Sequence, residues 1–197
     1  MKAVGFAVAG GRSRRMGRDK ALLAWGDTDL LGHTLARLSA VTDAVRILSG
    51  PAPRYSERGV AVETDPAPDL GPMAGLLTAL EAARGRPALL LGADLPLVPT
   101  ALLARLVVLA TDADAVVPVS PLGPEPLSAV YGAGCLEPVR RCVARGDLKM
   151  TAFWADVRIR EVGVDELAAF GDPGELFLNV NALEDYERAL LLRGEAR

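Results

Sequence analysis

Apolar positions along the chain follow two rhythms. Short unbroken runs at Lys2–Val8, Ala44–Leu48 and Pro87–Gly92 read as strands buried on both faces, the first of them stopped by Gly10-Gly11. Ala115–Val119, Leu127–Tyr131 and Val157–Val162 add three more, and Val60–Val62 a brief one. Between them the spacing becomes helical. Leu31, Leu35 and Leu38 share one side of a segment from about Leu30 to Ala40. Gly71–Arg84 has proline at its second position and then Leu76, Leu77, Leu80 and Ala83, as a helix that starts on a proline would. Pro99–Ala110, Leu136–Ala144 and Ala182–Leu192 are helical as well.

Strands alternating with helices predict an α/β fold, a mainly parallel sheet sandwiched by helices, with ligands at the carboxyl ends of the strands. No repeat, low-complexity tract or linker breaks the pattern, so residues 1–197 read as a single domain.

Composition narrows the function. No apolar stretch approaches the ~20 residues of a membrane span, and the N-terminus runs straight into a glycine turn, so neither a span nor a signal peptide is expected and the location reads as cytoplasmic. A net charge of −3 argues against a general nucleic-acid binder. Cys135 and Cys142, in a segment that reads as helix, would lie about 10 Å apart at ~1.5 Å rise per residue, too far for a mutual disulfide. With His33 the only histidine, a Cys/His zinc site has too few ligands. A nucleophile triad is disfavoured too, because His33 falls in a helix and no G-x-S-x-G elbow exists.

Four segments carry candidate chemistry. Directly after the first strand, Ala9 to Lys20 joins a glycine pair to five basic residues (Arg12, Arg14, Arg15, Arg18 and Lys20) and one acid, Asp19. Glycines let backbone N–H groups approach phosphate oxygens, and the basic side chains neutralise them. Neither the Walker spacing nor G-x-G-x-x-G is present. Gly71 opens a helix whose unpaired N–H groups can meet a phosphate or the polar edge of a base. Asp94 ends a buried strand at the edge where ligands bind, and Mg²⁺ needs only one or two protein carboxylates beside phosphates and water. Asn179 and Asn181 are the only asparagines, in a chain with no glutamine, and in an extended segment they point to one face. One can hold the acceptor or a metal-bound water while the other caps the last helix.

These segments resemble, in order, the signatures of the molybdenum cofactor guanylyltransferases. Ala9–Lys20 reads A-G-G-x-S-x-R-M-G-x-D-K; Asp65–Gly75 is similar to Asp…G-P-L-A-G; Ala93–Pro99 is similar to C-D-x-P-x-x-P with Ala93 for the cysteine; and Phe177–Asp185 is similar to F-x-N-x-N-T-P-E-[DE] with Ala182 and Leu183 for Thr-Pro. Glu125–Tyr131 is similar to a proline-leading strand near the acceptor side.

The resemblance implies a Rossmann-like nucleotidyltransferase fold and transfer of GMP from GTP to the terminal phosphate of molybdenum-molybdopterin, with Mg²⁺ as cofactor. It implies Val8, Ala9, Gly10 and Gly11 beside the nucleotide, Lys20 and Arg15 on its phosphates, Asp65 and Gly71 at the base, Asp94 on the metal, and Asn179 and Asn181 at the acceptor. Base choice is expected to come mainly from backbone groups near Val8–Gly10 and Gly71, not from a charged side chain. Transient contact with molybdenum cofactor biosynthesis proteins and recipient molybdoenzymes is implied as well. One departure stands out: the family often has asparagine after the second strand, where this chain has Ser49, which can still donate or accept a hydrogen bond. A CTP-dependent molybdopterin cytidylyltransferase, a sugar- or polyol-phosphate nucleotidyltransferase and a non-catalytic nucleotide- or cofactor-binding protein remain open.

Overall fold

A computed structural model of the chain describes residues 3–10, 19–65 and 71–195. In chain order its elements are β1 (Val4–Val8), β2 (Ala24–Trp25), β3 (Thr28–Asp29), α1 (Leu30–Ser39), β4 (Ala44–Leu48), β5 (Ala61–Glu63) and α2 (Gly71–Ala83). They continue with β6 (Ala88–Gly92), α3 (Thr100–Leu109), β7 (Ala115–Ser120), β8 (Gly123–Pro124), β9 (Ser128–Tyr131), α4 (Leu136–Ala144), β10 (Ile159–Val162), α5 (Val164–Leu167) and α6 (Leu183–Glu195).

The main sheet runs β10-β7-β9-β6-β1-β4-β5, with β8 paired to β7. Central β1 is parallel to both neighbours, with Val8 opposite Leu48 on one side and Gly92 on the other. The ends of β1, β4 and β6 therefore align at one edge. Only β9 runs against its neighbours β6 and β7 in the body of the sheet, so its first residue, Ser128 opposite Leu91, starts at that same edge.

The apolar runs are buried on both faces because helices cover both. Ala7, Leu89 and Leu91 pack with Leu31 and Leu38 of α1 and Leu102, Leu103 and Leu106 of α3. Val4, Phe6 and Leu90 point the other way, toward Met73, Leu76 and Leu80 of α2 and Val139 and Cys142 of α4. Alternate residues of one strand feed opposite cores, so no polar alternation is visible. A third, smaller cluster joins Trp25 and Leu30 to Val180 and Ala189 under α6.

Several expectations shift by a residue or two, and four elements are additional. The helix expected to reach Arg84 ends at Ala83, because Arg84 (φ 52°) and Gly85 (φ 81°) turn left-handed and terminate it. The β2–β3 hairpin turns through Gly26-Asp27, with Gly26 at φ 65°. β8 and the single turn of α5 are too short for periodicity to register. Both cysteines are free and buried. Among the described residues no helix is long and apolar enough to cross a membrane.

Candidate active site

The aligned ends of β1, β4 and β6 deliver three loops to one place. Gly10 and Gly50 pass so closely that a Cβ on Gly10 would lie 3.1 Å from the Gly50 amide nitrogen, which is a reason for glycine here. Between these loops and the start of α2 lies a cavity of about 680 Å³ whose lining includes Val8, Gly10, Ser49, Asp65 and Gly71. Five of the expected nucleotide contacts thus share one cavity. Gly71 enters α2 at φ 62°, a conformation that favours glycine. Ser49 is buried and its hydroxyl donates to Ala52 O (2.7 Å), so it shapes the turn as well as facing the cavity.

Asp65 is the polar anomaly of the cavity. Its amide donates to Gly50 O (2.9 Å), but its carboxylate Oδ1 is buried with no hydrogen-bond partner among the described residues. Burial pushes the carboxyl above its ordinary value.

Beside the cavity stands a cation–oxygen cluster. Lys20 Nζ lies 2.5 Å from Asp94 Oδ2 and 3.1 Å from Asn181 Oδ1. Asp94 is one residue past Ala93, whose amide donates to Val8 O (3.0 Å), so the cluster adjoins the cavity wall. Val180 N donates to Asp94 O (2.9 Å), which joins the segment before α6 to the end of β6. Residues 20, 94 and 181 thus meet from three distant parts of the chain.

The turn that presents Lys20 is held by residues to which sequence assigned no role. Asp19 Oδ1 caps it by accepting from Ala21 N (3.1 Å), while Oδ2 accepts from Tyr55 Oη (2.6 Å) and Arg54 Nη1 (3.3 Å). Arg54 Nη2 also donates to Ala9 O (2.8 Å), so one guanidinium ties together Ala9 and Asp19, which flank the basic loop. Tyr55 sits at φ 68°, rare for a non-glycine residue. Burial and its bond to Asp19 raise the phenol's pKa well above its usual value.

Other assignments stand differently. Arg15 and Gly11, with the rest of the basic loop at residues 11–18, lie outside the described residues. Ala9 N donates to Leu48 O (2.9 Å), placing its backbone at the cavity edge. Asn179 is exposed, and Asn181 reaches Lys20. The expected asparagine cap on the last helix is not formed: Asp185 Oδ2 accepts from the amides of Asn181 (3.0 Å) and Ala182 (2.9 Å) instead. A carboxylate reaching back from inside the helix satisfies the first N–H groups and frees both amides from that task.

A family model described as the MobA-like NTP transferase domain matches residues 5–162. The chain belongs to the MobA-like NTP transferase family. It is a nucleotidyltransferase.

MobA-like relatives match nearly the whole length. A probable molybdenum cofactor guanylyltransferase of Pelotomaculum thermopropionicum is 30% identical over 100% of this chain and 96% of its own. One from Bacillus licheniformis is 34% identical over 95% and 96%. Among solved structures, molybdopterin-guanine dinucleotide biosynthesis protein A of Archaeoglobus fulgidus superposes with a TM-score of 0.81 at 22% identity, covering 98% of this chain and 99% of the other. The fold extends further, to 2-C-methyl-D-erythritol 4-phosphate cytidylyltransferase of Thermus thermophilus (TM-score 0.69, 18% identity, 98% of each chain). The Rossmann-like nucleotidyltransferase fold expected from the motifs is the fold of this MobA-like chain.

Proposed function

We propose that the protein transfers GMP from GTP to the terminal phosphate of molybdenum-molybdopterin. A phosphate oxygen of the acceptor attacks the α-phosphorus, the α–β phosphoanhydride bond breaks, and pyrophosphate leaves. The names of the relatives support the substrate pair. The observation that carries the choice of base is Asp65, a carboxylate that lines the cavity. Guanine presents adjacent N1–H and 2-amino donors, which a carboxylate can accept together. Adenine and cytosine place a ring-nitrogen acceptor in that position. Backbone groups of Val8–Gly10 and Gly71 would complete the contact with the base.

The donor set at Asp94 fits a hard divalent cation: a carboxylate and the amide oxygen of Asn181 already converge on the Lys20 ammonium. Among the described residues no cluster of three His, Cys, Asp or Glu offers an all-protein cage, so bound phosphates would supply other ligands. Asp94 would hold Mg²⁺, whose chemistry when bound is neutralisation of charge on phosphate oxygens. Lys20, with Arg15, would hold the departing pyrophosphate, and Asn181 with Asn179 would orient the acceptor. Positioning and charge neutralisation then account for the acceleration without a covalent intermediate.

The test is to incubate the protein with molybdenum-loaded molybdopterin, Mg²⁺ and all four triphosphates, and to identify the dinucleotide by mass spectrometry. A guanine dinucleotide with stoichiometric pyrophosphate is the expected result. A cytosine dinucleotide would assign the chain to the sister activity, and no turnover with any triphosphate would overturn the reaction.

A further inference from the structure

α1 directs two polar side chains, one turn apart, at the loop that follows Asp94. Arg37 is only 6% exposed and pairs with no carboxylate among the described residues. Its Nη1 donates to the carbonyls of Leu95 (3.1 Å), Pro96 (3.4 Å) and Val98 (2.6 Å), and its Nη2 to Thr34 Oγ1 (3.2 Å). His33 Nε2 lies 3.1 Å from Pro96 O, and since a carbonyl only accepts, that nitrogen carries the proton.

The loop's composition explains the need. Pro96 and Pro99 have no N–H, so this stretch cannot settle into a regular ladder and leaves carbonyls in want of donors. A guanidinium is the side chain that can serve several at once. Burying it without an anion is unfavourable, and desolvation lowers its pKa to about 9, which still leaves it charged at neutral pH. An apolar residue such as neighbouring Leu38 would fill the space without that penalty. The charge is therefore retained for what it holds.

We propose that Arg37, assisted by His33, is a positioning residue for nucleotidyl transfer: it fixes Leu95–Val98 so that the Asp94 carboxylate stays at Lys20 and Asn181. From the other side the Val180 amide holds the Asp94 carbonyl. The aspartate is thus clamped through its own main chain and that of the residues after it. Arg37 and His33 bond to the carbonyls of the loop and not to the Asp94 carboxylate itself. The inference rests on Asp94 being the carboxylate that holds the divalent ion.

The experiment compares Arg37→Met, Arg37→Lys, His33→Leu, His33→Gln and Asp94→Asn with the parent protein. Folding is followed by circular dichroism, GTP affinity without divalent ion by calorimetry, and Mn²⁺ affinity with GTP present by electron paramagnetic resonance, beside kcat. Arg37→Met is expected to keep GTP affinity within about twofold and to lose about tenfold to hundredfold in Mn²⁺ affinity and kcat, as partners behind a metal ligand do. Arg37→Lys, with one point charge for three carbonyls, should fall between. His33→Leu should lose a smaller factor that His33→Gln, keeping a donor, largely restores.

Folded Arg37→Met with unchanged Mn²⁺ affinity overturns the proposal, as does an equal loss in GTP and Mn²⁺ binding. If Arg37→Met does not fold, the His33 pair decides: equal Mn²⁺ affinities for Leu and Gln overturn it. Mn²⁺ retained by Asp94→Asn removes the metal assignment and this inference together. Mn²⁺ lost by Asp94→Asn but retained by the Arg37 and His33 variants removes this inference alone.

Discussion

Lys20 Nζ lies 2.5 Å from Asp94 Oδ2 across 74 residues of chain. Their side chains are 24% and 17% exposed, so water reaches the pair but does not surround it. Each is also anchored through its own main chain or turn: Asp19 caps the turn that carries Lys20, and the Asp94 carbonyl accepts from Val180 N. On the proposed function, both side chains would take new partners when phosphates and a cation bind.

Asp94→Asn therefore folds and loses at least ~100-fold in turnover, because the amide keeps the shape but removes the negative charge that retains a cation. Pyrophosphate release at saturating Mg²⁺, with thermal melting as the folding control, checks this. Near-parental activity would eliminate Asp94 as the metal-holding residue.

Lys20→Ala should weaken GTP binding far more than guanosine binding, since only the triphosphate offers anionic oxygens to the ammonium. Calorimetry with both ligands separates this from a folding defect, which would reduce both equally.

The Asp19–Tyr55 bond should be visible in stability and in nucleotide affinity together. Tyr55, only 6% exposed, donates its phenolic proton to the Asp19 carboxylate, whose side chain is 27% exposed, and Tyr55→Phe removes that donor. Hydrogen bonds to charged groups contribute about 1.5–3 kcal/mol, and Arg54 remains to compensate in part. A loss near the low end would lower Tm by roughly 3–6 °C for a chain of this size. Because Asp19 caps the Lys20 turn, KM for GTP should rise while kcat changes less. An unchanged Tm and KM would show that the bond holds nothing the site needs.

His33 gives the molecule a calculable acid sensitivity. Burial first, and then the positive charge of Arg37, lower its pKa from 6.5 to about 4. Above pH 6.5 it is neutral in folded and unfolded chains, and its contribution is fully present. As pH falls from 6.5 toward 4, the unfolded chain takes up a proton that the folded one refuses, so stability is lost across that window. Asp65 and Glu125, whose carboxyls burial raises, contribute with the opposite sign. The difference between the parent and His33→Gln in denaturant melts at pH 7 and pH 4.5 cancels those terms. The parent should lose more stability than the variant over that interval, and identical losses would contradict the shift.

Much of this arrangement is legible in the sequence, and what is not has identifiable causes. Strands buried on both faces appear as continuous apolar runs because alternate residues such as Phe6 and Ala7 feed different cores. The reversed direction of β9 lies in a length: a short link after β7 cannot make the crossover a parallel strand needs. The Gly26-Asp27 turn was likewise written as a hairpin signal between two strands too short to notice. The glycine-rich basic string, Asp94 and Asn181 stand out as candidates because the chemistry proposed for them resides in local strings. Asp19, Arg54, Tyr55, His33 and Arg37 do not, since each acts through partners up to 63 residues away and no local pattern encodes a bond to a distant carbonyl or carboxylate.

The base preference is the test that depends most on one side chain. Asp65 lines the cavity, its Oδ1 is buried with no hydrogen-bond partner among the described residues and burial raises its pKa, so on the proposed function its carboxyl is the acceptor that a donor on the base would satisfy. Guanine relieves this through N1–H and its 2-amino group, whereas inosine triphosphate keeps N1–H and lacks the amine. Each buried polar group left unpaired costs about 1–3 kcal/mol, equivalent to roughly tenfold to hundredfold in selectivity. GTP should therefore exceed ITP in kcat/KM by about tenfold, and CTP and ATP by more. Asp65→Asn offers an oxygen for one donor but turns an NH₂ group toward the other, so it should reduce GTP use while leaving the poorer triphosphates nearly unaffected. Competition among GTP, ITP, CTP and ATP in one reaction measures all of these ratios together. If Asp65→Asn lowered every triphosphate by the same factor, the carboxylate would be shaping the cavity rather than reading the base, and discrimination would have to come from the backbone of Val8–Gly10 and Gly71.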